Sequence, residues 1–185
     1  MEFADFFINV VSGGVVGGLA SFIASKYFLE HNNKVHRPNI AMSDKVIKTN
    51  REDGTPALLL KVINRTDKDI SKIVFDVEGI KNLSPSGSIP LYQLTHIARR
   101  EILYIKEYNK NDSNAHYAHR TRLFITDGDI LEKCKTFEII RISVYAECPY
   151  YGTSTVLSKD YNVKEDILSE QYHFNTGDSL SCSQT

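Results

Sequence analysis

The most constraining feature of the sequence is a long uncharged run near its start. Residues 6–25, within "FFINVVSGGVVGGLASFIASKYFL", contain no Asp, Glu, Lys, Arg or His. An α-helix rises about 1.5 Å per residue, so twenty residues span about 30 Å, the hydrocarbon thickness of a bilayer. The run therefore predicts one transmembrane helix, which we place within residues 1–29.

The flanking charges favour a retained membrane helix over a signal peptide. A signal peptide would start with basic residues and have a shorter apolar core. Here Glu2 and Asp5 precede the run, whereas Lys26, Lys34 and Arg37 follow it. The positive-inside rule then predicts an external N-terminus and a cytoplasmic C-terminal part, with residues 30–38 as a short juxtamembrane linker.

Small and polar residues recur at four-residue spacing within this run. Residues four apart lie on one helix face, and small ones allow two helices to pack closely in lipid. One interpretation is a simple dimer seam. The other uses the polar members as well, and predicts that several copies enclose a narrow pore. The residues assigned to helix packing or to the pore are Asn9, Ser12, Gly13, Gly14, Gly17, Gly18, Ser21 and Ser25.

Beyond Pro38 the pattern has the period of two that is typical of β-strands. Residues 57–64 and 70–79 predict one hairpin, and residues 136–148 and 153–162 predict a second around the turn "PYYG". The stretch "DGDILEKC" predicts one or two helical turns.

Strands at this spacing predict a mainly β fold, an antiparallel sandwich that follows the single transmembrane helix. We assign residues 39–174 to a cytosolic β-sandwich domain. The Ser-rich residues 175–185 are expected to form a flexible tail.

Two stretches resemble the cytoplasmic domain of inward-rectifier potassium channels. They are "MSDKVIKTNREDGTPALLLKVINRT" and "DILEKCKTFEIIRISVYAEC", the latter followed by "TSTVLSKDYNVKEDILSEQYHF". The resemblance implies an immunoglobulin-like β-sandwich that assembles, often as a tetramer, beneath a membrane pore. The sequence lacks that family's second helix and its T-V-G-Y-G filter, so potassium selectivity is not implied.

The overall layout is also similar to that of small bacterial defence effectors. In those proteins a short membrane part is joined to a soluble sensor of a nucleotide signal, and activation permeabilises the inner membrane. This likeness implies a bacterial inner-membrane location and a role in anti-phage defence.

The sequence contains no recognisable catalytic set. It has no G-x-S-x-G, Walker or H-E-x-x-H motif, and its three cysteines form no C-x-x-C pair. His116 and His119 have no third metal ligand close in sequence. We therefore predict no enzymatic activity, no metal and no cofactor.

The most basic short region combines cations with tyrosines. Phosphates bind such cations and bases stack on such rings, so the region predicts a nucleotide or oligonucleotide site. The simpler alternative is a solvated strand face. The candidate ligand-binding residues are Arg99, Arg100, Lys106, Tyr117, His119, Arg120 and Arg122.

Together these features predict an oligomeric, single-pass membrane effector that forms an ion-conducting pore. Its partners would be the bilayer, further copies of itself, in a tetramer, and a nucleotide ligand. The alternative is a membrane-tethered binding or scaffold module that conducts nothing. A membrane-anchored enzyme is the third class, and no residue set supports it.

Overall fold

The computed structural model describes residues 21–30, 36–83, 92–126 and 128–185. The chain divides into two compact units, Met1–Arg37 and Pro38–Thr185. Within the first, residues 21–30 form helix α1, whose large apolar side chains are 58–72% exposed. No helix among the described residues combines the length and apolarity needed to cross a membrane. The predicted span lies mainly at residues 1–20, outside the described residues.

The second unit is mainly β, as predicted, and its first sheet is centred on one strand. The sheet contains β1 (Ile40–Met42), β2 (Val46–Asn50), β3 (Pro56–Asn64), β6 (Ala118–Leu123) and β9 (Ile167–Leu168). Strand β6 pairs along one edge of β3, and β2 and β1 share its other edge in succession. Strand β9 pairs with β2 in parallel, which departs from the expected all-antiparallel arrangement.

The second sheet has four antiparallel strands: β4 (Ile70–Asn82), β5 (Tyr92–Ile105), β7 (Ile139–Cys148) and β8 (Thr153–Asn162). They pair in the order β5-β4-β7-β8. The predicted hairpin of β7 and β8 is confirmed, with Cys148 opposite Thr153 beside the turn.

The predicted hairpin of β3 and β4 is wrong, because the two strands belong to different sheets. The buried Asn64 explains the change of direction. Its amide nitrogen donates to the carbonyls of Lys68 (2.9 Å) and Lys106 (2.8 Å), and its oxygen accepts from the Thr66 amide (2.9 Å). Strand periodicity alone does not choose a partner, whereas this polar corner carries the chain from one sheet to the other.

One hydrophobic core joins the two sheets, an arrangement consistent with a β-sandwich. Leu58, Leu60 and Val62 of β3 and alternate residues of β7, such as Ile142 and Val144, belong to the same buried cluster. A short helix, α2 (Ile130–Lys135), adds to this core, and Asp129 caps its N-terminus by accepting from Leu131 N at 2.7 Å. The one or two helical turns predicted here are therefore confirmed.

The C-terminal residues differ from the expected flexible tail. Strand β11 (Cys182–Gln184) pairs antiparallel with β10 (Tyr172–Phe174). Phe174 is 1% exposed, so the hairpin has an apolar anchor of its own. The serine content of residues 175–185 suggested looseness, but contacts with distant strands define their structure.

Candidate functional site

A groove lies where the edges of the two sheets meet. Within the described residues, β5 pairs with β4 alone and β6 with β3 alone, so each strand keeps one unpaired edge. The cavity beside these strands measures about 540 Å³. We call it the arginine groove, and the residues that define it are Arg51, Arg100, His119, Arg120, Arg122 and Phe124.

Side chains along β6 point alternately towards the core and away from it, and this alternation decides which of them lie on each face of the strand. Leu123 belongs to the shared core, and His119, four residues earlier, lies on the same face. Arg120 and Arg122 lie on the opposite face, where they pair across from Lys61 and Leu59 of β3. Because β6 is an edge strand, residues of both faces reach the same cavity.

Register places Arg100 of β5 in the groove. It lies opposite Phe75, a fully buried core residue, so it belongs to the inner face of its sheet. At an edge strand this position reaches solvent, and Arg100 is exposed. The same geometry brings the neighbouring inner-face residue Ile102 into the lining.

Phe124 lies beneath two guanidinium groups. The Cζ atom of Arg51 is 4.0 Å from its ring centroid, and that of Arg100 is 5.2 Å away. Both distances are within the range of cation–π attraction. Arg51 comes from the turn between β2 and β3, where its guanidinium also pairs with Asp53 at 2.9 Å.

The arginine groove is positively charged, although the chain as a whole carries −1. Four guanidinium groups and the two carboxylates of Glu52 and Asp53 line the cavity, which leaves a net charge of about two positive units. The hydrogen bond from the Thr55 amide lowers the pKa of Asp53, so this carboxylate is ionised at neutral pH. Burial lowers the pKa of His119, so its imidazole is neutral there.

The structure brings together four of the seven predicted ligand residues. Arg100, His119, Arg120 and Arg122 line the groove. The other three predicted residues, Arg99, Lys106 and Tyr117, lie elsewhere.

Arg99 lies opposite Asp76 in the β4–β5 register, on the other face of β5 from Arg100. Lys106 lines a separate cavity that contains Lys68 and Tyr150. Tyr117 is 4% exposed and packs edge-on against Tyr108, with ring centroids 4.9 Å apart.

Sequence reasoning missed Arg51 and Phe124. Phe124 follows the basic stretch "HRTRL" directly, and this proximity was a usable signal. Arg51 lies about seventy residues earlier, in a hairpin turn, and nothing local connects it to Phe124. Only the packing of β3 between β2 and β6 brings the two residues together.

Six of the eight predicted pore residues lie outside the described part of the chain. Ser21 and Ser25 lie in helix α1, four residues apart and therefore on one face. The other six, which precede α1 in the chain, lie outside the described residues: Asn9, Ser12, Gly13, Gly14, Gly17 and Gly18.

The cysteines and the histidine pair considered for chemistry in the sequence include three residues that lie outside the lining of the groove, namely Cys134, Cys148 and His116. Cys134 and Cys148 are buried in the core region, and burial raises the pKa of the Cys134 thiol to about 12. His116 pairs with Asp112 at 2.8 Å. Across the described ranges, no three His, Cys, Asp or Glu side chains cluster closely enough to hold a metal ion.

The groove can bind anions through its guanidinium groups and a flat ring against Phe124 or Arg51.

No protein-family model matches the sequence, and no curated protein matches it either.

Proposed function

We propose that the β unit is a sensor domain, and that the arginine groove binds a ligand with phosphate groups and an aromatic ring. A nucleotide or a short oligonucleotide has this chemistry. The observation that carries the proposal is the placement of Arg51 and Arg100 over Phe124, with Arg120 and Arg122 beside them.

Each part of the groove has a matching role in such a ligand. Guanidinium groups bind phosphate oxygens with two parallel hydrogen bonds, and they also stack on planar rings. The carboxylates of Glu52 and Asp53 accept hydrogen bonds from the amino or hydroxyl groups of a base or sugar. A cavity of about 540 Å³ falls within the range of small-molecule sites.

The complete chain, in this proposal, is an oligomeric membrane effector that forms a pore controlled by the sensor domain. The support comes from the uncharged run at residues 6–25 and from the exposed apolar side chains of α1. From the resemblance to the cytoplasmic domains of inward-rectifier channels, we further propose that the β unit is an immunoglobulin-like sandwich and that the protein is a tetramer. A bacterial inner-membrane location with the β unit in the cytoplasm follows from the charge pattern and the layout.

Ligand binding is tested with the full chain in detergent and with 5′-phosphorylated tetra-adenylate as the probe. We expect saturable binding that weakens at least about tenfold in Arg100→Gln, because a charged hydrogen bond contributes about 1.5–3 kcal/mol. Arg99→Gln is the matched control, since the residue is adjacent but lies on the opposite face of β5. Equal loss in both variants, or no binding to the wild type, would refute the sensor proposal.

Pore formation is tested separately by conductance in planar bilayers. We expect ligand-dependent currents from the wild type and none from the double variant Gly13→Leu, Gly17→Leu, because leucine prevents close helix approach. The control replaces residues 6–25 with an unrelated apolar span. If that chimera keeps its cellular function, the protein is a membrane-tethered binding module and the pore proposal fails.

A further inference from the structure

Two basic side chains attach the C-terminal hairpin to the first sheet. The Nζ atom of Lys61 donates to the carbonyl oxygens of Asn175, Gly177 and Ser179, each at 2.7 Å. The Nη2 atom of Arg120 donates to the carbonyl oxygen of Phe174 at 3.0 Å. Lys61 lies between Leu60 and Val62, which face the core, so its side chain is on the outer face of the sheet.

Lys61 is an unusual anchor because it is 1% exposed and its three hydrogen-bond acceptors are neutral carbonyls. Burying an ammonium is costly unless hydrogen bonds and opposite charges compensate. Burial, and next the nearby positive charge of Arg120, lower the pKa of Lys61, while Asp178 partly offsets them. The Lys61 ammonium therefore binds the carbonyls of the hairpin despite the nearby positive charge of Arg120.

Arg120 belongs to both the anchor and the ligand site. It lies directly opposite Lys61 in the β3–β6 register, and it lines the arginine groove. It also lines a second cavity of about 390 Å³, which it shares with Lys61 and Gly177. A guanidinium has five N–H donors, so the bond to Phe174 leaves others for a ligand in the groove.

We propose that anion binding in the arginine groove and docking of the C-terminal hairpin stabilise each other through Arg120. This inference rests on the proposed sensor function and assigns its response to β10 and β11. A bound phosphate offsets the repulsion between Arg120 and Lys61 and fixes the guanidinium that supports Phe174. Because such coupling is reciprocal, a firmly docked hairpin also favours the ligand.

The test is amide hydrogen exchange of residues 172–184 in the full chain in detergent, with and without 5′-phosphorylated tetra-adenylate. We expect the ligand to slow exchange at least about fivefold, the lower end of typical couplings. Arg120→Lys and Arg122→Lys are compared at ligand concentrations that saturate each variant, because both residues line the groove and both changes should weaken binding. The protection should disappear in Arg120→Lys, since the single nitrogen of lysine lacks the spread of the guanidinium fork that contacts both the groove and the Phe174 carbonyl. It should persist in Arg122→Lys, the control on the same strand.

Two results separate this inference from the proposed function. Ligand binding that leaves the exchange of the hairpin unchanged overturns the coupling and leaves the sensor proposal standing, whereas absence of binding overturns both. Lys61→Met tests the reverse direction, because loss of the anchor should weaken ligand binding about fivefold. If that variant does not fold, the comparison of Arg120→Lys with Arg122→Lys still decides the question.

Discussion

Among single residues, position 79 requires a glycine because the ring of Phe137 packs directly against its backbone. It lies in the buried part of β4, and a Cβ atom there would collide with the ring of Phe137. Phe137 packs against the core and follows α2, so it has little room to move. The residue thus fixes the approach of α2 to the second sheet.

We expect Gly79→Ala to destabilise the protein by about 1–3 kcal/mol, the usual cost of overpacking a core. Chemical denaturation provides the measurement. Phe137→Leu is the companion change, and the double variant should lose less stability than the sum of the two single variants. Additive losses would show that the ring is not the cause.

The Asp166 carboxylate ties the segment after β8 to the start of β2. It accepts from Lys45 Nζ at 2.6 Å and from the Asn162 amide at 2.7 Å. The hydrogen bond from Lys45 is the main cause that lowers the pKa of Asp166, followed in the same direction by the Asn162 amide. A carboxylate with a lowered pKa stabilises the fold above its unfolded pKa and loses that contribution as the pH falls through its folded pKa.

We therefore expect Asp166→Asn to cost about 0.5–1 kcal/mol at pH 7, since the pair is partly exposed. The difference from wild type should shrink as the pH falls below about 4, the ordinary pKa of an Asp, and on through the lowered pKa of the folded state. Denaturation curves across that range provide the measurement. A difference that is the same at acidic and neutral pH would contradict this assignment.

At the scale of elements, the connection between β3 and β4 decides which sheet each strand joins. The Asn64 side chain satisfies two carbonyls and one amide at this corner, and it is fully buried. Polar backbone groups left unpaired inside a protein are costly, so the corner needs a side chain with both a donor and an acceptor.

Replacement of Asn64 by Asp or Ala should cost about 2–4 kcal/mol, because a carboxylate cannot donate and alanine can do neither. Thermal unfolding measures the loss. Asn109→Ala is the control, since Asn109 makes a comparable turn bond to Asn111 N at an exposed site. Equal effects at the two positions would show that the corner has no special role.

At the scale of the whole molecule, the groove and the predicted membrane span meet different physical requirements. The groove is an edge site, built where an edge strand of each sheet comes close, and one copy of the chain supplies the residues that line it. A pore, in contrast, needs several copies, because a single helix encloses nothing. In the proposed pore, assembly would therefore depend on the small-residue stripe of residues 9–25.

We expect the full chain in mild detergent to form a defined oligomer through close packing of its small residues, with about four copies, the number implied by the resemblance to inward-rectifier cytoplasmic domains. Light scattering coupled to size-exclusion chromatography provides the mass. Gly17→Leu should reduce the assembly, whereas Val15→Leu, in the same uncharged run but outside the stripe of small residues, should not. A wild-type monomer would contradict the pore proposal and leave the ligand prediction intact.

Four features could be predicted from the amino-acid sequence alone: the β class, the β7–β8 hairpin, helix α2 and the basic stretch of β6. These are local properties: alternation, a turn between adjacent strands, an N-capping Asp and neighbouring cations are all visible within a short window. They also indicated four groove residues, because Arg120, Arg122 and His119 share one strand and Arg100 belongs to the same basic region.

Which elements pack against each other could not be predicted, because it depends on contacts between distant parts of the chain. Strands β3 and β4 are consecutive in the sequence but belong to different sheets. The contact of Arg51 with Phe124 and the attachment of the serine-rich end to Lys61 each join residues far apart in sequence. Periodicity assigns a side chain to a face but does not say which element covers that face. For the same reason, the sequence shows Lys61 only as a charged residue within an apolar strand. The structure shows why it is there, because the C-terminal segment supplies three carbonyls that accept its hydrogen bonds.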